Sequence, residues 1–323
     1  MSHLNLPFDS YIKLEHDNIL HTDYVVINWC LGNTCNYSCS YCPEGLHNAS
    51  VKWPSQEVVT AFIDKALAHY VGKKLYFEFT GGEVTLWKDL LPVAAYLRTK
   101  GCKVGIISNG SRSLDLFEKL IPNIDHICLS FHAEQGNEDH FYSVVEFCAD
   151  KIRTHVNFMM KPDLFNKCLS FAMRIKNIPK LSMALQPLVV GLVGKILDYT
   201  DLQTQTMNKE YELITKHIQH AKSFETYRGA MTMVTSEGEK NTLAAQGFIA
   251  SGNNNWKDWY CYAGLEQIVV DMDSHVYRGW CKAGESIGRI DDKNLKLPSR
   301  PIRCPKSNCH CNLDIMSTKE KTI

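Results

Sequence analysis

The sequence predicts an α/β fold: a partial (β/α)6 TIM barrel followed by a smaller α+β domain built around a hairpin. Three observations predict it. From about residue 24 to residue 190, short apolar runs alternate with longer amphipathic stretches. Helix-start and helix-stop residues punctuate that alternation. Past residue 225 the alternation ends and hairpin signals replace it.

The expected strands are Tyr24–Cys30, Leu75–Thr80, Lys103–Ser108, His126–Ser130, Thr154–Met159 and Ser182–Pro187. The expected helices between them are Ser55–Tyr70, Trp87–Lys100, Ser113–Leu120, Glu138–Lys151 and Asp163–Asn177. Pro54-Ser55 and Asp163 supply helix starts, and Gly72 and Gly101 supply stops. Alternating strands and helices imply parallel β/α units. Six strands are too few for an eight-fold barrel, so an open or partial barrel is expected. Its active site should gather at the C-terminal strand ends. The expected division is an N-terminal extension (1–23), the barrel (24–195), a polar connecting helix (196–225), a second domain (226–315) and a tail (316–323). In the second domain Tyr227–Thr235 is strand-like and Ser251–Asn255 is a Gly/Asn-rich loop. Leu265–Asp271 and His275–Trp280 read as a hairpin through Met272-Asp273-Ser274.

With 323 residues, 45% of them hydrophobic, the chain can bury one large core or two ordinary ones. Lys plus Arg equals Asp plus Glu at 35 each, so bulk charge gives no support for a nucleic-acid or membrane-surface partner. Residues 1–10 carry neither a basic nor an apolar export region, and no apolar run reaches spanning length. The richest such run, Leu181–Val193, is broken by Gln186, Pro187 and Gly191. A soluble, cytoplasmic protein with no membrane partner is expected. In a reducing compartment, 13 cysteines point to metal binding or chemistry rather than disulfides. They fall into two groups: Cys35, Cys39 and Cys42, and then Cys261, Cys281, Cys304, Cys309 and Cys311. Cys30, Cys102, Cys128, Cys148 and Cys168 stand in apolar or helical surroundings and read as small buried hydrophobes.

The first group follows the first strand as C-x3-C-x2-C. Asn36, Ser38, Ser40, Pro43 and Gly45 favour a loop over a helix there. Three thiolates without a fourth nearby can hold three irons of a four-iron cluster and leave one iron open. The competing reading is zinc held by Cys35, Cys39, Cys42 and His47. The later strand ends weigh against zinc. The second ends in Gly81-Gly82-Glu83, where the backbone can approach a ligand and a carboxylate can meet an ammonium. The third ends in Ser108-Asn109-Gly110 and the fourth in Ser130-Phe131-His132, groups suited to hydroxyls or a carboxylate.

At these residues the chain resembles the radical S-adenosylmethionine enzymes. Tyr41 occupies the aromatic position of that family's C-x3-C-x-aromatic-C loop, and Gly81, Gly82 and Glu83 match its Gly-Gly-Glu motif. The resemblance covers roughly residues 24–190. It implies a [4Fe-4S] cluster on Cys35, Cys39 and Cys42, with S-adenosylmethionine chelated at the open iron. Glu83 and the Gly-Gly backbone would hold the methionine amine and Tyr41 would lie near the adenine. Ser108, Asn109 and Ser130 would line the ribose or carboxylate side. Cleavage of the sulfonium bond would yield a 5′-deoxyadenosyl radical that abstracts hydrogen from substrate. An electron donor of flavodoxin or ferredoxin type is implied.

In the second group, Cys261 and Cys281 flank the hairpin, and paired cysteines around a hairpin are naturally read as a zinc ribbon. The Cys-x-Ala-Gly start, the hairpin, the Tyr-x-Gly-Trp turn before Cys281 and Ile287-Gly288-Arg289-Ile290 resemble the twitch and SPASM auxiliary-cluster domains. A full SPASM domain typically has seven cysteines for two clusters. The five here suit one auxiliary [4Fe-4S] cluster and the shorter twitch type. Cys261, Cys281 and Cys304 are its expected ligands, Cys309 and Cys311 compete for the fourth place, and His310 reads as a solvated loop residue. Trp256, Trp259, Tyr260 and Trp280 are placed to shield it.

The resemblance implies an enzyme that removes hydrogen from its substrate with an auxiliary cluster assisting oxidation or bond formation. Similar enzymes include aminoglycoside dehydrogenases, the molybdopterin-precursor cyclase and peptide-modifying maturases. About twenty residues before the first strand are too few for a peptide-recruiting domain, which favours a sugar, nucleoside or amino-acid derivative over a peptide. A peptide maturase or epimerase, and a non-catalytic iron–sulfur or zinc scaffold, are the alternatives. His132, Asn157, Lys161 and Gln186 are the expected substrate contacts, with His132 and Lys161 the candidates for a catalytic role.

Overall fold

The structure, a computed structural model, describes residues 4–189, 196–218 and 229–322. The expected domain boundaries at residues 195 and 225 fall outside the described residues, as do the end of the expected connecting helix and the first residues of the strand expected at Tyr227–Thr235. Two compact units result, each discontinuous in sequence. One comprises Met1–Cys30, Glu57–Phe77 and Thr226–Ile323, the other Leu31–Gln56 and Glu78–Glu225.

The chain begins with β1 (Tyr11–His16) and β2 (Tyr24–Cys30). It then alternates through α1 (Gln56–His69), β3 (Lys74–Thr80), α2 (Leu90–Thr99), β4 (Lys103–Ser108), α3 (Leu114–Leu120), β5 (His126–Phe131), α4 (Glu138–Lys151), β6 (Arg153–Met159), α5 (Phe165–Ile175) and β7 (Leu181–Gln186). This is the α/β alternation the sequence predicts. Strand β2 is buried at every position but its last, as a strand covered on both faces must be. Helix α1 buries Val59, Phe62, Ile63 and Ala66, the i, i+3, i+4, i+7 stripe of a helix facing a core. Helix α4 starts where Asn137 accepts from the His140 N–H at 2.9 Å, satisfying an orphan donor of the first turn.

After α6 (Asp201–Ile218) come β8 (Met231–Thr235), β9 (Lys240–Leu243), α7 (Ala245–Ala250) and β10 (Tyr260–Cys261). The expected hairpin is β11 (Gln267–Val270) with β12 (His275–Tyr277), joined antiparallel. Short segments β13 (Gly288–Arg289), β14 (Ile302–Arg303), α8 (Asn312–Ile315) and β15 (Lys319–Glu320) complete the chain.

In the first unit one sheet runs β14-β10-β15-β1-β8-β9, and β13-β12-β11-β2-β3 follow one another in a second. Strand β11 lies parallel to β2, with Ile268 opposite Ile27. In the second unit the order is β3-β4-β5-β6-β7, with β4 to β7 parallel neighbours. Its core is aromatic: Phe131 stands 4.5 Å from Phe171 and 5.2 Å from Phe141, centroid to centroid. The first unit buries Trp256, Trp259, Phe248, Met231 and Met233 together with Cys261, Cys304 and Cys309.

The expected extension and tail carry strands that the sequence reading passed over. Residues Tyr11–His16 pair antiparallel with β8 and β15, and Lys319–Glu320 bridge β1 and β10. Neither segment has enough apolar alternation to announce a strand alone. The ladder partners supply the stability. Among the described residues no helix is long and apolar enough to cross a membrane.

Candidate functional site

The loop after β2 carries Cys35, Cys39 and Cys42 and has no helix beyond a single turn at Glu44–Leu46, as its polar residues and Pro43 predict; Cys42 N donates to Cys39 O at 3.0 Å across a tight turn, and Thr34 bridges Asn48. Its base is closed by Asn33, which is 1% exposed. The Asn33 amide donates to Gly45 O at 2.9 Å and Asn48 Oδ1 at 2.8 Å, and its oxygen accepts from Val51 N at 2.9 Å.

Successive strand ends of the second unit then grip successive residues of the loop. After β3, the Glu83 N–H donates to Thr34 O at 2.8 Å, one residue before Cys35. Gly82 makes this approach feasible. Its φ is +49°, and a Cβ there would lie 2.7 Å from the carbonyl carbon of Thr34. After β4, the Asn109 amide donates to Asn36 Oδ1 at 3.0 Å and reaches 3.9 Å from Cys35 Sγ, while Asn36 donates to Ser111 Oγ at 2.9 Å. After β5, Glu134 accepts from Ser40 N at 2.7 Å and Ser40 Oγ at 2.6 Å. Tyr41 Oη shares a proton with His132 Nδ1 at 2.6 Å. After β6, Lys161 pairs with Glu134 at 2.6 Å and Asp163 at 2.8 Å.

Glu83 is fully buried, and burial pushes its carboxyl up. Oε1 accepts from Thr85 N and Oγ1 and from Ser108 Oγ, at 2.7 Å for the last. Oε2 accepts from Asn109 N at 2.5 Å, which leaves it acceptor capacity for a further donor. Burial holds His132 well below its ordinary value, at about 4, so the ring is neutral at pH 7. Its ring stacks on Tyr41 at 6.0 Å and meets Tyr37 edge-on at 6.0 Å. Burial also pushes Glu134 up, but the bonds from Lys161 and Ser40 outweigh it and leave this carboxyl below the usual range.

Thus His132 and Lys161, each a candidate for a catalytic role, contact groups that hold the cysteine loop: His132 bonds to Tyr41, and Lys161 pairs with Glu134. Ser108 and Asn109 stand at the expected rim. Ser130 lies on β5 opposite Asn157 of β6. The Asn157 amide donates to Cys128 Sγ at 3.2 Å, and Gln186 is exposed at the end of β7. Asn33 and Glu134 were missed by sequence reasoning, because a loop Asn and a surface-like Glu give no signal until their partners are known.

The three thiols fit a cluster. Burial pushes all three up, Cys39 to about 11; the charge of Cys35 acts on both Cys39 and Cys42, and that of Cys42 acts on Cys39. Cys35 Sγ receives the Tyr37 N–H at 3.4 Å. Metal binding would release their protons. Among the described residues no three His, Cys, Asp or Glu side chains converge as ligands of one ion. In particular, the His47 ring lies 3.3 Å from the Cys42 carbonyl rather than joining a Cys3His set. A four-iron cluster spreads its thiolates over separate irons and does not require that convergence.

The second cysteine group gathers in the first unit. Cys261 lies on β10, Cys304 N donates to Trp259 O at 2.7 Å, and Cys309 N donates to Asn254 O at 2.9 Å. Cys281 N donates to Asp314 Oδ2 at 2.6 Å. Burial pushes Cys261, Cys281, Cys309 and Cys311 up, Cys309 to about 12, and the charge of Cys261 acts on both Cys281 and Cys309. Cys311 differs. After burial, the charge acting on it is that of Asp314, and its carbonyl accepts from Ile315 N in α8. His310 is exposed, as expected. Asp314 and Lys319, buried beside this group, carried no sequence signal.

Comparison with known proteins agrees with this geometry. Residues 29–155 match the model of the Radical SAM superfamily. The fold is similar to that of anSMEcpe with bound AdoMet, at 16% identity and a TM-score of 0.54 over 84% of this chain and 79% of that one. It is also similar to SuiB of Streptococcus suis bound to S-adenosylmethionine, at 15% identity and a TM-score of 0.53. That match covers 84% of this chain and 64% of SuiB, less than two thirds of its length. No curated protein matches the chain by sequence. Over residues 29–155 the chain thus matches the Radical SAM superfamily, which implies an enzyme that uses S-adenosylmethionine and a [4Fe-4S] cluster.

Proposed function

We propose that the protein generates a substrate radical at the rim of the second unit and that a second, auxiliary [4Fe-4S] cluster on the C-terminal cysteines assists the oxidation or bond formation that follows. The observation that carries the first part is the loop of Cys35, Cys39 and Cys42, gripped in turn by the ends of β3, β4 and β5. When bound, the cluster and S-adenosylmethionine supply a 5′-deoxyadenosyl radical by reductive cleavage. The three thiolates hold the cluster. Tyr41, Gly81, Gly82, Glu83, Ser108, Asn109 and Ser130 form the S-adenosylmethionine side of the rim, where the free acceptor capacity of Glu83 Oε2 suits an ammonium. Neutral His132 orients Tyr41 through its ring nitrogen, and the Glu134–Lys161 pair fixes Ser40 between two ligands.

The auxiliary part is supported by the buried grouping of Cys261, Cys304 and Cys309 with Trp256 and Trp259. Cys281 is the fourth ligand, and Cys309 is preferred to Cys311, which is the N-cap of α8. Such a twitch-type site suits an oxidoreductase. A polar substrate is supported by His155, Asn157 and Ser182, hydrogen-bonded along neighbouring strands β6 and β7. A sugar, nucleoside or amino-acid derivative meets that description.

A peptide substrate is the second reading. It is favoured by the structures of anSMEcpe with a Cp18Cys peptide and of SuiB with its precursor peptide SuiA. Anaerobic reconstitution tests the core of the proposal. About eight irons per chain are expected, falling to about four with Cys35, Cys39 and Cys42 all changed to Ala. Release of 5′-deoxyadenosine under reduction should vanish in the same variant. A wild-type count that never exceeds about four removes the auxiliary cluster from the proposal.

A further inference from the structure

Lys319 is 1% exposed, yet among the described residues its ammonium has no carboxylate partner. It donates instead to three carbonyls, of Asp314 at 2.9 Å, Ile315 at 2.9 Å and Ser317 at 2.8 Å. Those oxygens satisfy its N–H groups but carry no net charge. A buried ammonium costs several kcal/mol unless a negative charge compensates it. Lys319 is directly opposite Cys261 in the β10–β15 ladder, so the two side chains leave the same face about 5 Å apart. The ammonium also lies 5.3 Å from the ring centroid of Trp256, within the cluster that holds Cys304 and Cys309. Its charge pulls the Cys261 and Cys309 thiols down against the effect of burial.

Asp314 is the opposite charge in the same place. It is 3% exposed and accepts from the backbone of Trp280 at 2.9 Å and of Cys281 at 2.6 Å. Gly279 makes room for it, since a Cβ there would lie 2.6 Å from its Oδ1. One buried cation and one buried carboxylate thus border a group of cysteines inside an apolar core. Charges act over longer range there than in water.

We infer that Lys319 is a positioning residue whose charge compensates the thiolates of the C-terminal group and sets the reduction potential of the auxiliary cluster, with Asp314 acting in the opposite direction. The inference rests on the proposed auxiliary cluster. A purely structural lysine, tying the end of α8 to β15, would leave the potential alone.

The experiment is an anaerobic redox titration of the reconstituted full chain, followed by electron paramagnetic resonance. Lys319→Met keeps the length and removes the charge, and it should shift the auxiliary midpoint to lower potential. Lys319→Arg, which keeps the charge, should restore it. The midpoint of the N-terminal cluster should not move in either variant. Asp314→Asn should shift the auxiliary midpoint upward, and this decides the matter should Lys319→Met not fold. An unmoved midpoint at about eight irons per chain, or equal shifts in the Met and Arg variants, overturns the role of Lys319 alone. A wild-type protein with about four irons and one redox signal removes the auxiliary cluster and this role with it.

Discussion

The contact between Gly82 and Thr34 makes a quantitative demand on the Gly-Gly-Glu motif. Sequence reasoning gives its glycines the task of letting backbone approach a ligand. In the structure Gly82 meets the chain itself. A Cβ at Gly82 would lie 2.7 Å from the carbonyl carbon of Thr34 and 2.9 Å from its nitrogen, and closer still to its oxygen. These are backbone atoms that cannot rotate aside. Gly82→Ala therefore carries two costs. Holding alanine at φ +49° costs about 1–2 kcal/mol. Displacing Thr34 breaks the 2.8 Å bond from Glu83 N, worth about 0.5–1.5 kcal/mol. The sum is about 1.5–3.5 kcal/mol. Gly72→Ala is the control, because Gly72 has φ +81° and open space around its missing Cβ. It should cost only the conformational part, about 1–2 kcal/mol. Urea denaturation of both variants measures the difference, and iron content after reconstitution measures its effect on the loop. Gly82→Ala should retain less iron at the N-terminal cluster, and Gly72→Ala should retain the wild-type amount. Equal stability and equal iron in the two variants would refute the reasoning.

Three further outcomes are expected. Glu134→Ala frees Ser40 and leaves Lys161 with Asp163 alone, so chelators should strip iron from the N-terminal cluster faster. The urea midpoint should fall, and unchanged chelation kinetics would show that Glu134 does not hold the loop. Cys309→Ala should reduce the iron count from about eight toward about four while Cys311→Ala leaves it intact, and the reverse pattern would exchange the two assignments. His132 binds its proton less readily folded, at about 4, than unfolded, near 6.5. The unfolded state therefore takes up more protons between those values, and stability should fall as pH drops from about 6.5 to 4. Replacing His132 with Gln should flatten that part of the stability profile; an unchanged slope assigns the effect to other histidines.

Much of the site was legible in the sequence because its chemistry is local. Cys35, Cys39 and Cys42 are close in the chain, so their spacing alone proposes a shared metal site. The strand-end motifs were legible because a β/α alternation forces strand ends onto one rim. The contacts of His132 and Lys161 were not. Their residue types suggest catalysis, and only the folded chain shows that His132 bonds to Tyr41 and Lys161 pairs with Glu134. Strands β1 and β15 were illegible for a related reason. Each is stabilised by partners far away in sequence.

What the sequence determined by itself is the β/α alternation and the identity of two cysteine groups, because periodicity and spacing survive in one dimension. The tertiary structure decided how the groups are held. It brought Asn33, Glu83, Asn109 and Glu134 to the first loop, and it buried Asp314 and Lys319 beside the second group. Burial and pairing between residues distant in the chain are properties of the folded chain, where desolvation gives a single carboxylate or ammonium its strength.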